Sequence, residues 1–304
     1  MRKLILSIVI VGATLVACQA KKTEPTTAPI EPLSPDQILT LGDISDEPAE
    51  TIAAFQPLAD YLAHNLTSLG IKQGQVVVAP DLPTMMDYME SGQVDLYFDS
   101  PYPALTVYEE IGAVLLLRRW KKGVKEYHTA IAVRHDSGIA DLDGLLGQIV
   151  AFDDPVSTSG YLLPKAYLIG AGYQLVEKSS ASQAVAADEI GYVFAQGEEN
   201  VLAWVLQGKT TGAAIPSGDL AELQADVQSQ LTVLARTPDV PRHIALAWPG
   251  MTPARQVMLA ELLSSLHHTP EGRAILETFE RTSQFDALPP GTIEALQELF
   301  APVR

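Results

Sequence analysis

The sequence predicts an α/β fold of two lobes joined by two chain crossings, and three observations carry that expectation. Short apolar runs alternate with amphipathic segments over residues 38–117, a second alternating series covers residues 149–215, and a late apolar run returns the chain toward the first series. Hydrophobic residues make up 47% of the 304 and charged residues 19%, a balance that allows each lobe its own core.

In the first series, residues 38–44, 75–79, 94–98 and 113–117 read as strands, and 51–69, 84–90 and 101–110 as helices. Residues 127–134 (YHTAIAVR) are a β-rich run, followed by a turn at Asp136-Ser137-Gly138 and a short helix near 142–146. The second series reads as strands at 149–152, 191–194 and 212–215 with helices at 159–169 and 199–207. Residues 233–234 and 243–247 read as strands leading back to the first lobe, before helices at 253–267, 271–278 and 292–300. The expected lobes are residues 38–128 with 240–304, and residues 129–239. A chain crossing twice between lobes suits hinge closure on a ligand, with the hinge near residues 127–134 and 234–246.

Ahead of these elements, Arg2 and Lys3 precede an apolar run at residues 4–15, and Leu15-Val16-Ala17-Cys18 resembles a bacterial lipobox. Residues 1–18 are therefore expected to be a lipoprotein signal peptide ending at a lipidated Cys18, and residues 19–37, rich in Thr, Pro, Glu and Lys, a flexible tether. The apolar run is shorter than the ~20 residues that span a bilayer, so the lipid is the expected membrane attachment and the body extracytoplasmic. One cysteine excludes an intramolecular disulfide and a cysteine zinc cage. A net charge of -17 argues against nucleic acid, which needs a basic field, yet leaves room for a small anion held by local backbone N–H groups.

The segment that carries chemistry is residues 151–164, AFDDPVSTSGYLLP: an apolar strand, a loop of small hydroxyl residues, then a helix. A helix N-terminus offers unpaired N–H donors and a partial positive charge, and Ser157, Thr158 and Ser159 add hydroxyls there. A tetrahedral oxyanion needs such convergent donors; simple N-capping of the helix is the other reading of the same spacing.

Asp154-Pro155-Val156-Ser157-Thr158-Ser159-Gly160-Tyr161 resembles the Asp-Pro-x-Ser-Thr-Ser-Gly-Tyr signature of PhnD-like phosphate, phosphite and phosphonate binding proteins of ABC transporters. The likeness extends to Phe55-Gln56-Pro57-Leu58-Ala59-Asp60-Tyr61-Leu62, Val78-Ala79-Pro80-Asp81, residues 92–98 (GQVDLYF) and residues 133–139 (VRHDSGI), spanning most of 38–216. It implies a type II periplasmic-binding-protein fold, a Venus flytrap with two hinge crossings, that binds a small oxyanion and works with an ABC permease and its ATPase. It also implies that Ser157, Thr158 and Ser159 grip the oxyanion. Across the cleft, the loop Asp99-Ser100-Pro101-Tyr102 would meet the anion from a second helix N-terminus, through Ser100 and Tyr102 beside Asp99; capping with Pro-directed helix entry is the alternative.

Departures from the family bear on the ligand. Where phosphonate-binding relatives carry His-Glu-Asn this chain has Glu198-Glu199-Asn200, and where they often carry Val-Asp-Ala-Gly it has Thr210-Thr211-Gly212-Ala213. A histidine donor and an acid are thus missing; loss of the acid is expected to weaken any preference for an aminoalkyl group, with Glu198 as its candidate substitute, and Glu198 and Thr211 are both candidate ligand contacts. The basic segment 118–128, RRWKKGVKEYH, either brings an Arg, Tyr127 or His128 to the anion or forms a solvated hairpin or permease-docking patch.

Neither a Gly-x-Ser-x-Gly elbow nor a phosphate-binding Gly-x-x-x-x-Gly-Lys loop occurs, so a monomeric binding protein without cofactor or metal is expected rather than an enzyme. A sensory ligand-binding component, or the same fold binding a sulfonate, stays open on sequence.

Overall fold

The computed structural model describes residues 37–304; the signal peptide, Cys18 and all but the last residue of the tether lie outside the described residues. The first series comprises β1 (Ile38–Ile44), α1 (Pro48–Asn65), β2 (Gln73–Ala79), α2 (Leu82–Glu90), β3 (Leu96–Asp99), α3 (Pro101–Ile111) and β4 (Val114–Arg119). There follow β5 (Glu126–Tyr127), β6 (Thr129–Arg134), β7 (Ile149–Phe152), α4 (Leu163–Gly170), β8 (Gln174–Glu177), β9 (Glu189–Phe194), α5 (Glu198–Leu206) and β10 (Gly212–Pro216). The remainder is α6 (Ser217–Glu222), α7 (Ala225–Gln228), β11 (Leu231–Arg236), β12 (Val240–Pro241), β13 (His243–Ala247), α8 (Pro253–Ser265), α9 (Pro270–Thr278), β14 (Phe285–Asp286) and α10 (Thr292–Phe300).

Two six-stranded sheets result, ordered β14-β4-β13-β3-β1-β2 and β11-β6-β10-β7-β9-β8. The parallel β1–β2 pair, in register from Ile38↔Gln73 to Ile44↔Ala79, requires a crossover, which α1 supplies. Phe55, Leu58, Ala59, Leu62 and Ala63 make its buried stripe at helical spacing. Gly74 lets α1 sit on the sheet, because a Cβ there would lie 2.3 Å from the carbonyl of Ala59. Pro48 is tolerated at the helix start, where its missing N–H removes no bond, so α1 begins three residues earlier than its apolar pattern suggests.

The run 127–134 is not one strand. It breaks at His128: β5 pairs with β12 in a two-stranded ribbon, Val240↔Tyr127 and Pro241↔Glu126, while β6 joins the second sheet between β10 and β11. That ribbon is where the chain passes between the sheets, and most of the expected hinge run belongs to the second sheet instead. Residues 233–234 likewise belong to β11, an antiparallel edge strand of the second sheet, and only β13 returns to the first. Strands β8 and β14 and helices α6 and α7 are too short or too polar to stand out in the sequence.

Basic segment 118–128 is neither hairpin nor solvated patch at its start. Arg119 is fully buried, its guanidinium 3.7 Å from the Phe279 ring centroid and bonded to Thr282 Oγ1 (2.9 Å), the Phe279 carbonyl (3.0 Å) and Glu280 Oε2 (2.9 Å). Arg118 holds Asp286 through two nitrogens, at 2.9 and 2.7 Å, and pairs with Glu126. Buried charges persist only when paired in this way. These contacts lock β4 to the segment 279–286 beneath the ribbon.

Candidate functional site

The strand β7 ends at Phe152, and the chain turns through Asp153 and Pro155 into a single π turn, Thr158–Leu162, that continues as α4. The expected helix at 159–169 therefore opens with a widened turn. Ser157 caps it, its Oγ accepting the Gly160 N–H at 3.0 Å. Gly160 is obligatory here: an added Cβ would come within 2.4 Å of the Asp153 Cβ and 2.8 Å of the Ser157 Oγ. Thr129 Oγ1 donates to the Ser159 carbonyl at 2.6 Å, tying the loop to β6. Within the described residues the N–H groups of Thr158 and Ser159, the first two of the turn, find no acceptor.

Facing this loop from the first sheet, β3 delivers Asp99 and Ser100 to the start of α3. Asp99 is saturated: it accepts from the Tyr97 hydroxyl, from the Ser100 N–H at 2.6 Å and from the Ser100 hydroxyl at 3.0 Å. Burial pushes its carboxyl up, and those three hydrogen bonds oppose the rise. With the single Ser100 proton given to Asp99, the 2.9 Å contact between Ser100 Oγ and Thr158 Oγ1 has Thr158 as donor. This contact joins the two sheets' loops directly. Because Pro101 and Pro103 carry no N–H, Tyr102 is the only backbone donor among the first three positions of α3, so this terminus is a poorer anion site than its sequence position suggests.

Ser157, Thr158, Ser159, Ser100, Tyr102, Asp99 and Tyr127 share the wall of one cavity of about 580 Å³. Pro80, Leu82, Pro103 and Val156 supply its apolar parts. Two residues that the sequence did not single out also line it, Arg242 and His243. Arg242 follows β12 directly; its N–H bonds the Lys125 carbonyl at 2.9 Å and its guanidinium lies 4.8 Å from the Tyr127 ring centroid. Burial pushes the Tyr127 phenol up to about 12, against the pull of Arg242 and a hydrogen bond with Ser159. His243 is held well below its ordinary range by burial and by Lys121, Arg119 and Arg242, so its ring is neutral. Its Nδ1 has no partner among the described residues. No local motif announces either residue, since both owe their place to the return of the chain through the ribbon.

Two expected ligand contacts are not in this cavity. Thr211 precedes β10 and bonds Gln148, Oγ1 to Oε1 at 2.9 Å, with its N–H on the Ile149 carbonyl. β10 and β7 run parallel, so Thr211 sits where these strands begin, whereas the loop Ser157–Ser159 follows the strand's carboxyl end, where α/β sheets bind ligands. Glu198 lies in a neighbouring cavity of about 360 Å³ with Lys122, Asp153 and Asp219. Burial, then Asp219 and Asp153, push its carboxyl up to about 7. His128 is likewise engaged elsewhere, its Nδ1 2.8 Å from Asp239 Oδ1.

The family model for the periplasmic substrate-binding protein of ABC phosphonate transporters matches residues 43–289. The phosphate-import protein PhnD of Mycolicibacterium smegmatis is 26% identical over 302 residues, covering 95% of this chain and 80% of that protein. XAC2383 from Xanthomonas citri, solved bound to chloride, superposes with a TM-score of 0.79 at 31% identity, over 88% of this chain and 97% of that one. A second structure of XAC2383, bound to ATP, superposes equally well. PhnD1 from Prochlorococcus marinus, in complex with methylphosphonate, shares the fold at a TM-score of 0.61 and 15% identity, over 88% and 97% of the two chains. The fold is thus the two-lobe type II periplasmic-binding-protein fold, the relatives are solute-binding proteins rather than enzymes, and the family is extracytoplasmic. On this match across most of its length, the chain belongs to the family of periplasmic substrate-binding proteins of ABC phosphonate transporters.

Proposed function

We propose that the protein captures a phosphorus oxyanion, namely phosphate, phosphite or a small phosphonate, between its sheets and presents it to an ABC permease with its ATPase. One observation carries the reading: a turn with two N–H donors lacking acceptors and three hydroxyls on one cavity wall, at the carboxyl end of β7. In this reading Ser157, Thr158 and Ser159 bind the oxyanion, Ser100 and Tyr102 approach from the other side, and Asp99 fixes the Ser100 hydroxyl. Lobes made of residues 38–128 with 240–304, and of 129–239, close about the β5–β12 ribbon and exclude water from these bonds. Cys18 carries a lipid that holds the monomer at the membrane by a flexible tether.

Isothermal titration of the purified protein with phosphate, phosphite, methylphosphonate, 2-aminoethylphosphonate and sulfate tests the reading. Tight binding of one phosphorus oxyanion over sulfate is the expected result; sulfate in first place, or silence across all five, defeats it. A larger phosphate ester is the second reading, favoured by the ATP-bound XAC2383 structure and by a cavity of about 580 Å³, a size typical of organic ligands. ATP in the same titration separates the two.

A further inference from the structure

Arg242 stands in an environment unlike that of its neighbours. Arg118, Arg119 and Lys121, from the adjoining strand and loop, each hold a carboxylate within 3.0 Å. Arg242 is half-buried beside them, in a chain with 37 acidic and only 20 basic residues, and makes no ion pair among the described residues. Its guanidinium lies over the face of Tyr127, 4.8 Å from the centroid, and its charge opposes the rise that burial gives the Asp219 carboxyl, with no salt bridge between the two among the described residues. A partly desolvated cation gains from a counter-charge in direct contact, and the cavity it lines is the one walled by Ser157, Thr158 and Ser159.

Resting on the oxyanion reading of that cavity, we infer that Arg242 is the contact that reads the ligand's charge, making the site selective for tetrahedral dianions over monoanions of the same shape. Hydroxyls and backbone N–H groups recognise oxyanion geometry but distinguish one negative charge from two only weakly. A guanidinium adds an attraction proportional to the ligand charge, and its planar fork matches two oxygens of one phosphoryl group. Stacking on Tyr127 holds the fork in place, and the ribbon position means that an anion bound to both Arg242 and the loop Ser157–Ser159 braces the crossing against the second sheet.

Methylphosphonate and methanesulfonate share shape and methyl group but carry two charges and one, respectively, at about pH 9, which makes them the probes. Titration of the wild-type protein, Arg242→Gln and Arg242→Lys is expected to show the wild type preferring methylphosphonate. Arg242→Gln should lose roughly tenfold or more of that affinity and a clearly smaller factor for methanesulfonate, with Arg242→Lys between, since it keeps the charge and loses the fork. Methylphosphonate affinity within twofold of wild type in a folded Arg242→Gln, or equal losses for both probes, overturns the inference while leaving the oxyanion reading intact. A wild type that binds neither probe removes the oxyanion reading, and the inference with it.

Discussion

The two walls of the cleft are built on opposite principles. On the second sheet, the turn Thr158–Leu162 leaves the N–H groups of Thr158 and Ser159 without acceptors among the described residues. On the first sheet most strong groups near the cleft are already paired, His243 Nδ1 excepted: Asp99 takes three hydrogen bonds, Arg119 and Lys121 share Glu280, and Pro101 and Pro103 delete donors from α3. One wall offers two free backbone donors, the other is mostly paired, and Arg242 on the ribbon between them makes no ion pair among the described residues. Under the proposed function this asymmetry would favour anion capture, because the donors of one wall are free of competition from fixed partners on the other.

The largest expected effect comes from breaking the paired wall. Arg119→Ala leaves Glu280 to Lys121 alone, removes the guanidinium's bonds to Thr282 and the Phe279 carbonyl and empties the space over Phe279, and should destabilise the fold by about 3 kcal/mol. Chemical denaturation measures it, and a loss below about 1 kcal/mol would mean that the buried pair is dispensable. On the binding wall, Ser157→Ala with Thr158→Val should weaken oxyanion affinity by about 1–3 kcal/mol per donor removed. The same double variant should lower stability by only ~1 kcal/mol, the cap that Ser157 gives Gly160. Unchanged affinity in that folded double variant would move the site elsewhere. Ser100→Ala, across the cleft, removes a hydroxyl already given to Asp99 and should cost binding no more than about 1 kcal/mol; a loss as large as that of the loop variants would erase the asymmetry.

The smallest and most graded effect is on pH. Asp43, behind the paired wall, is raised from 3.8 to about 7 by burial, with Glu280 and Asp99 adding to the rise and Lys121 opposing it. Its folded form therefore binds more protons than the unfolded chain between pH 4 and 7, so its contribution to stability is present at the acid end and is lost as pH rises through that window. Glu198, also raised to about 7, acts in the same sense. Denaturation midpoints compared at pH 5 and pH 7.5 should show a fall with pH that Asp43→Asn reduces; an Asp43→Asn slope equal to wild type would locate the titration in other groups.

Much of the architecture is legible locally. Strands at 38–44, 149–152 and 243–247 and the helix at 292–300 coincide with the observed elements, because apolar runs between turn residues specify them without help from distant partners. The hydroxyl loop was legible for the same reason: its cap, its glycine and its donors lie within eight consecutive residues. Helix and strand ends were less so, as with the π turn before α4, where the close approach of Asp153 to Gly160 reshapes the first turn.

What the sequence by itself determined is the alternation that makes two α/β sheets, the family signature at residues 154–161, and an acidic chain unsuited to nucleic acid. Only the tertiary structure decided which charges are spent and which are free. Arg119 meets Glu280 across 161 positions, Ser100 meets Thr158 across 58, and Arg242 reaches the cleft through the pairing of β12 with β5. It also placed Thr211 where the strands begin and Glu198 in an adjoining cavity with Lys122, Asp153 and Asp219. The physical reason is separation along the chain: hydrophobic period and capping act within a few residues, while the pairing of a buried charge depends on strand order and crossings that no local pattern encodes.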